Sequence, residues 1–208
     1  MGSIPALLGK GDLIILDKLS HACLVDAARL SGATVRVYPH NHLDKLERLL
    51  RGAAEEVALS SKSGGRRTRV LVVTESVFSM DGDAAALREI VELKDRFGAW
   101  LWLDEAHAVG VIGPGGRGLA AELGLENRID LQMGTLSKAV GLSGGYLAAK
   151  RDVISLLVNR ARSFVYSTAP APAIAHAAAE SIRLVQSAEG DRLRARLWQV
   201  VGEWIRLT

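Results

Sequence analysis

The sequence predicts an α/β fold, with a mainly parallel sheet flanked by helices. Two observations carry that expectation. Short apolar, β-branched runs recur along the chain, in the length range of buried strands. Between them lie stretches whose apolar residues repeat at three- and four-residue spacing, the mark of helices with one buried face. Strands alternating with helices give parallel pairing, with helices covering both faces of the sheet.

Residues 12–17, DLIILD, are the first such run. Ser20 is placed to cap a helix running to Leu30, which Ser31-Gly32 stops. A second strand follows at 33–39 and ends at Pro39. Asn41 then caps a helix through Ala54. Leu43, Leu46, Leu49 and Leu50 share one face of it, and Asp44–Arg48 and Glu47–Arg51 pair on the other. Residues 55–68 read as the longest polar loop, and 69–76 as a third buried strand. The DGD at 81–83 turns the chain into a helix at 84–96 that closes near Gly98.

The fourth strand is AWLWLD, 99–104. Residues 110–118, GVIGPGGRG, hold too many glycines for a helix or strand and read as an ordered loop, with a short helix at 118–123 behind it. Strands at 129–135 and 144–149 come next. Helices follow at 151–160, 170–187 and 190–207, the last two divided near Gly190.

Bulk properties exclude several classes. Of the 208 residues, 49% are hydrophobic and 24% charged, an ordinary globular balance. The net charge is +3, and the one dense basic cluster, Arg66, Arg67 and Arg69, lies in a polar stretch without interleaved aromatics. It reads as a solvated loop, and no nucleic-acid partner is expected. The single cysteine, Cys23, forbids an internal disulfide and suits a cytoplasmic protein. No stretch approaches the ~18 apolar residues of a membrane span, and no signal peptide is evident. No metal site is expected.

In a parallel α/β sheet, ligands bind beyond the carboxyl ends of the strands. Ser79, Asp104, His107, Thr135 and Lys138 all fall at or just after such ends. Asp104 closes an apolar strand, so its carboxylate needs a partner. A structural ion pair, a metal-binding carboxylate and a cofactor clamp all satisfy that need. The DEAH at 104–107 also matches a nucleotide-driven helicase, but GxxxxGK[ST] is missing; the one Lys followed by Ser or Thr, Lys62-Ser63, lacks the glycines. Lys138 stands between an apolar strand and a glycine-rich turn. Desolvated there, its amine could attack a carbonyl cofactor. For pyridoxal phosphate, Asp104 could keep the ring nitrogen protonated, and Thr135 and Ser137 could help hold the phosphate.

Five stretches then extend the pattern: DKLSHACLVDAARLSGA, VVTESVFSMDGD, LDEAHAVGVIGPGGRG, GTLSKAVGLSGGYLA and FVYSTAPAP. Together the chain resembles the α-oxoamine synthase family of fold-type-I pyridoxal-phosphate enzymes, over about residues 8–185. The resemblance implies the large domain of that transferase fold in residues 1–188, and the start of a smaller C-terminal domain in 189–208. It implies pyridoxal 5'-phosphate as cofactor, with Lys138 joined to it and Asp104 paired to its ring nitrogen. His107 would bond the phenolate oxygen beside Ser79, and His21 would stack on the ring. Thr135 would contact the phosphate, as Ser167 and Thr168 would in the neighbouring subunit of a homodimer. His21, Asp104, His107 and Lys138 form the implied catalytic set.

The implied reaction condenses an amino acid with an acyl-CoA or acyl-carrier-protein thioester and releases carbon dioxide. HNHLDKLE, FSMDGD, GTLSKA without an extra glycine, and YSTAPAP lean toward the branch that uses L-alanine and a pimeloyl thioester in biotin synthesis. The rivals are an aminotransferase of the same fold, another member of the family and a non-catalytic partner subunit. Family members extend further at both ends, where they hold acyl contacts, a glycine-rich turn and a carboxylate-gripping arginine; Arg206 is in the wrong context for that arginine. The expectation is therefore an incomplete domain, inactive in isolation and with exposed apolar helix faces at both ends.

Overall fold

A computed structural model of the chain describes residues 1–62 and 67–207. Arg66 and Ser63 lie outside the described residues. The elements run α1 (Ser3–Leu7), β1 (Leu13–Asp17), α2 (Ala22–Ser31), β2 (Thr34–Tyr38), α3 (Leu43–Lys62), β3 (Val70–Glu75), α4 (Leu87–Arg96) and β4 (Trp100–Asp104). They continue with α5 (Leu119–Glu122), β5 (Leu131–Thr135), β6 (Gly145–Ala149), α6 (Arg151–Arg160), α7 (Arg162–Val165), α8 (Pro172–Val185) and α9 (Ala188–Ile205). Single 3-10 turns at Pro114–Gly116 and Glu126–Arg128 flank α5.

The six strands form one sheet in the order β2-β1-β3-β4-β5-β6. All neighbours are parallel except β5 and β6. Strand alternation divides the core cleanly. Leu13, Ile15, Val70, Val72, Leu101 and Leu103 pack with α3, α4 and α5 on one face. Ile14, Leu16, Leu71, Val73, Trp102 and Leu131 pack with α1, α2 and α6 on the other. β1 and β3 are buried along their whole length, which is why they read as unbroken apolar runs.

The structure departs from the sequence reading where a local signal meets a tertiary partner. α1 has no strong sequence signal, yet it buries Ile4 and Leu7. The amino-terminal end therefore presents no exposed apolar helix face. α3 runs on to Lys62 through a stretch expected to be loop, because Ala53 and Val57 continue its buried stripe. Its first turn is held by His42, whose Nδ1 accepts the Lys45 N–H, and not by Asn41. α4 begins at Leu87 and not at 84, since Val77 and Ala84 bridge and Ala85 N–H donates to Ser76. Arg69 is not a solvated loop residue: its guanidinium and its N–H both bond the fully buried Asp12.

The last two helices divide at Ser187, which caps α9 through the Gly190 N–H. Gly190 lies inside that first turn; a Cβ there would sit 2.3 Å from the Val185 carbonyl. α9 packs on α8 and bonds the 110–118 loop through Trp198 Nε1 and the Val111 carbonyl. Its outer face leaves Leu193, Leu197, Trp204 and Ile205 exposed.

Ser20 does not cap α2 either. The cap is His21, whose Nδ1 accepts the Cys23 N–H, while the Ser20 hydroxyl is buried without a partner among the described residues. An N-cap serine costs about 1 kcal/mol on change to alanine. An unpartnered buried hydroxyl costs nothing to remove and can gain stability. Ser20→Ala is therefore expected to melt at or above the wild-type temperature; a clear drop would restore the cap assignment.

Candidate active site

The carboxyl ends of β1, β3, β4 and β5 converge on one rim, and chain order reverses between β1 and β3. β4 delivers Asp104 to this rim. It is only 3% exposed, and its Oδ1 accepts the Ala106 N–H at 2.9 Å, which starts the tight turn carrying His107. Among the described residues nothing donates to Oδ2. Strand alternation sends the neighbouring carboxylate elsewhere: Glu105 accepts the Leu119 and Ala120 N–H groups at the start of α5. The DEAH segment thus splits into one group for the rim and one that pins the 110–118 loop.

β5 delivers the next parts. The Thr135 and Ser137 hydroxyls lie 2.7 Å apart, and the Ser137 N–H donates to Thr135 Oγ1. Bonds from Leu136 and Thr135 to the Gly144 carbonyl fold 136–144 into an ordered loop bearing Lys138. Gly110 lets the two loops meet; at φ 82°, a Cβ there would sit 2.3 Å from the Ala139 Cβ. Lys138 itself is exposed, contrary to the expected desolvated lysine. The turn at 138–141 carries it over the strand ends and not into the core.

His21 is exposed on the rim as the cap of α2. Its cap bond requires Nδ1 to be unprotonated, so the ring proton sits on Nε2. The His21 backbone N–H donates to Glu75 Oε1 at 2.5 Å. Lys138 and His21 lie close enough to act electrostatically on both Asp104 and His107. Burial pushes the Asp104 carboxyl up, and the Ala106 N–H, Lys138, His21 and His107 pull it back. Burial, then Lys138, lowers His107.

Ser79 is exposed in the loop after β3. Ser167 and Thr168 lie on the exposed connector between α7 and α8, and among the described residues no hydrogen bond joins them to the rim.

Sequence reasoning missed Glu75, which falls within the run 69–76 read only as a buried strand. Register places it directly beside Asp104. It is 3% exposed, and its carboxyl is pushed up to about 7, first by burial and then by Asp104. The unfolded chain releases this proton near 4.5, whereas the folded chain keeps it to about 7. The folded state binds the extra proton in that window, so stability falls as pH rises through it, by about 3 kcal/mol. Glu75→Gln is expected to flatten that decline relative to wild type. Denaturant midpoints at about pH 5 and about pH 7.5 check it, and an unchanged difference between the two would contradict it.

The donor set is a primary amine, a recessed carboxylate with one oxygen unclaimed, two imidazoles and a hydroxyl pair. It fits a phosphorylated aldehyde with a basic ring nitrogen: amine to carbonyl, carboxylate to ring N–H, hydroxyls to phosphate. Among the described residues no helix is long and apolar enough to cross a membrane.

A profile of the aminotransferase class I and II family matches residues 2–202. Over 199 residues the chain is 49% identical to 8-amino-7-oxononanoate synthase of Geobacter sulfurreducens, covering 94% of this chain and 47% of that protein. Among solved structures, serine palmitoyltransferase of Sphingomonas wittichii superposes with a TM-score of 0.85 at 37% identity, over 95% of this chain and 46% of that one. A serine palmitoyltransferase variant from S. paucimobilis, with a bound PLP–myriocin adduct, gives 0.84 at 33% identity, over 94% and 46%. The chain spans about half the length of the curated relatives it matches.

Proposed function

The chain belongs to the aminotransferase class I and II family, and from that premise we propose that it is the cofactor-binding part of an 8-amino-7-oxononanoate synthase. The reaction joins Cα of L-alanine to the acyl carbon of a pimeloyl thioester, releases the thiol and carbon dioxide, and yields the amino ketone used in biotin synthesis. The observation that carries the reading is the meeting of Asp104, His107, His21 and Lys138 at one rim of the sheet. The identity to curated synthases supports the choice of substrates.

Pyridoxal phosphate, when bound, supplies an electron sink for the carbanion at the amino acid's Cα. Lys138 Nζ would hold the cofactor's carbonyl carbon and would remove and return the proton at the amino acid's Cα. Asp104 Oδ2 would keep the ring nitrogen protonated. His107, with Ser79, would donate to the phenolate oxygen. His21 would cover the ring face. Thr135 and Ser137 would hold the phosphate, and Ser167 and Thr168 would extend to the phosphate of a second subunit in a cytoplasmic homodimer with shared sites. Residues 1–188 form the cofactor domain, and 189–208 open a smaller one.

Thiol release from pimeloyl-CoA tests the assignment, with L-alanine, glycine and L-serine compared, on this chain and on the full product of its gene. Fastest release with alanine from the full product supports it. Preference for glycine or serine points to another α-oxoamine synthase. Amino transfer to an oxo acid without thiol release points to an aminotransferase.

A further inference from the structure

His40 is absorbed by none of the roles above, yet it occupies the most heavily bonded polar cluster next to the site. Asp17 ends β1 and is fully buried. Its Oδ1 accepts the Leu19 N–H at 2.9 Å and lies 3.0 Å from His40 Nδ1; its Oδ2 accepts the Asn41 N–H at 3.1 Å. The other ring nitrogen, His40 Nε2, lies 2.8 Å from Asp83 Oδ2.

Both ring nitrogens therefore face carboxylates, an arrangement satisfied when both donate, as in the imidazolium. Although burial lowers the His40 pKa, its bonds to Asp83 and Asp17 carry it above the usual value. A carboxylate oxygen of Asp81 also lies within 4.8 Å of a His40 ring nitrogen and an Asp83 carboxylate oxygen.

Two further contacts tighten the cluster. Asn41 adopts φ 53°, an uncommon backbone for a non-glycine residue, and from there its side chain donates to Asp83 Oδ2 and the Ala84 carbonyl, both at 3.1 Å. The His40 ring meets Phe78 edge-on, with centroids 4.3 Å apart.

The two segments joined this way are the ones that lead into the rim. Residues 18–21 run from Asp17 to His21, and 76–86 carry Phe78, Ser79 and Asp83. We propose that His40 is a positioning residue, a clasp between the β1–α2 and β3–α4 loops that sets His21 and Ser79 at fixed separation. The clasp itself stands on the cofactor-free geometry; its consequence for the cofactor rests on the site reading above.

Amide hydrogen exchange of the cofactor-free chain tests the clasp directly. In His40→Ala, exchange at Leu19, Phe78 and Gly82 is expected to speed up by about tenfold or more, the loss that follows removal of a charge-assisted hydrogen bond. Leu101 and Gln132, in β4 and β5, should keep their wild-type rates. Uniform acceleration across the sheet, or none at Phe78 and Gly82, overturns the proposal.

Should His40→Ala fail to fold, Asp83→Ala leaves the Asp17–His40 bond in place. It should loosen Phe78 and Gly82 but not Leu19; loosening of all three, or of neither loop, counts against a two-sided clasp. A titration with pyridoxal phosphate then reads positioning. The dissociation constant is expected to rise about tenfold in the same variants. Unchanged binding with loosened loops overturns the positioning role. A wild-type chain that binds none counts against the site reading, while the exchange pattern still decides the clasp.

Discussion

Asp104→Asn is expected to bind pyridoxal phosphate on the order of a hundredfold more weakly than the wild-type chain, while melting no lower than it. The first half follows from pairing. Removing one partner of a recessed ion pair costs about 3–5 kcal/mol, because the other charge is left uncompensated. In the proposed site the other charge is the protonated ring nitrogen, and Asn would offer it a neutral oxygen only. The second half follows from the neighbouring acid. Asp104 stands beside Glu75 in register, both are buried, burial raises the pKa of each, and Asp104 raises that of Glu75 further. Asparagine removes one of two neighbouring acids and keeps an oxygen for the Ala106 N–H. A residue that is unfavourable for the fold and required by the ligand is what a binding site produces. Absorbance titration and thermal melting of the same sample check both halves. Wild-type affinity in Asp104→Asn would remove Asp104 from the site.

Glu105→Ala carries the largest expected loss of stability, and little of it touches the cofactor. The carboxylate accepts Leu119 N–H at 3.0 Å and Ala120 N–H at 2.8 Å, and the Gln132 amide approaches it at 3.5 Å. These bonds start α5 and fasten the glycine-rich loop before it. Truncation strands two buried N–H donors, at roughly 1–3 kcal/mol each. In a chain of this size a loss of about 3 kcal/mol lowers the melting temperature by roughly 6–12 °C. Glu105→Gln keeps an acceptor oxygen and should recover about half of that loss. Equal losses in both variants would mean that charge, and not the acceptor geometry, holds the loop.

The contrast between Asp104 and Glu105 shows what the sequence could and could not disclose. Both stand at the end of an apolar strand in one four-residue motif. Strand alternation alone sends them to opposite sides, but which side holds the rim depends on where the helices pack. The buried strands were legible because β1, β3 and β4 are covered on both faces, so burial appears as unbroken apolar sequence. Helix starts were less legible, because Ser20, His21, Asn41 and His42 are all competent caps and only tertiary bonds choose among them. Asn41 is taken by Asp83 and Ala84, which leaves His42 for α3.

Glu75 and His40 were missed for a related reason. Each acquires its role from a residue distant in sequence: Glu75 from Asp104 across the β3–β4 register, and His40 from Asp17 and Asp83 across two loops. Lys138 was found by its flanking glycines and hydroxyls, but its exposure was not, since the tightness of the 136–144 loop appears only in the bonds to Gly144.

The proposed site depends most on Lys138 being the residue to which the cofactor is joined. It is tested by adding pyridoxal phosphate to the purified chain, reducing with borohydride and locating the modified residue by peptide mass analysis. The expected result is a visible absorbance band before reduction, one dominant modification on Lys138, and loss of both in a folded Lys138→Ala variant. A folded wild-type chain with no band, or with the modification scattered over other lysines, would contradict it.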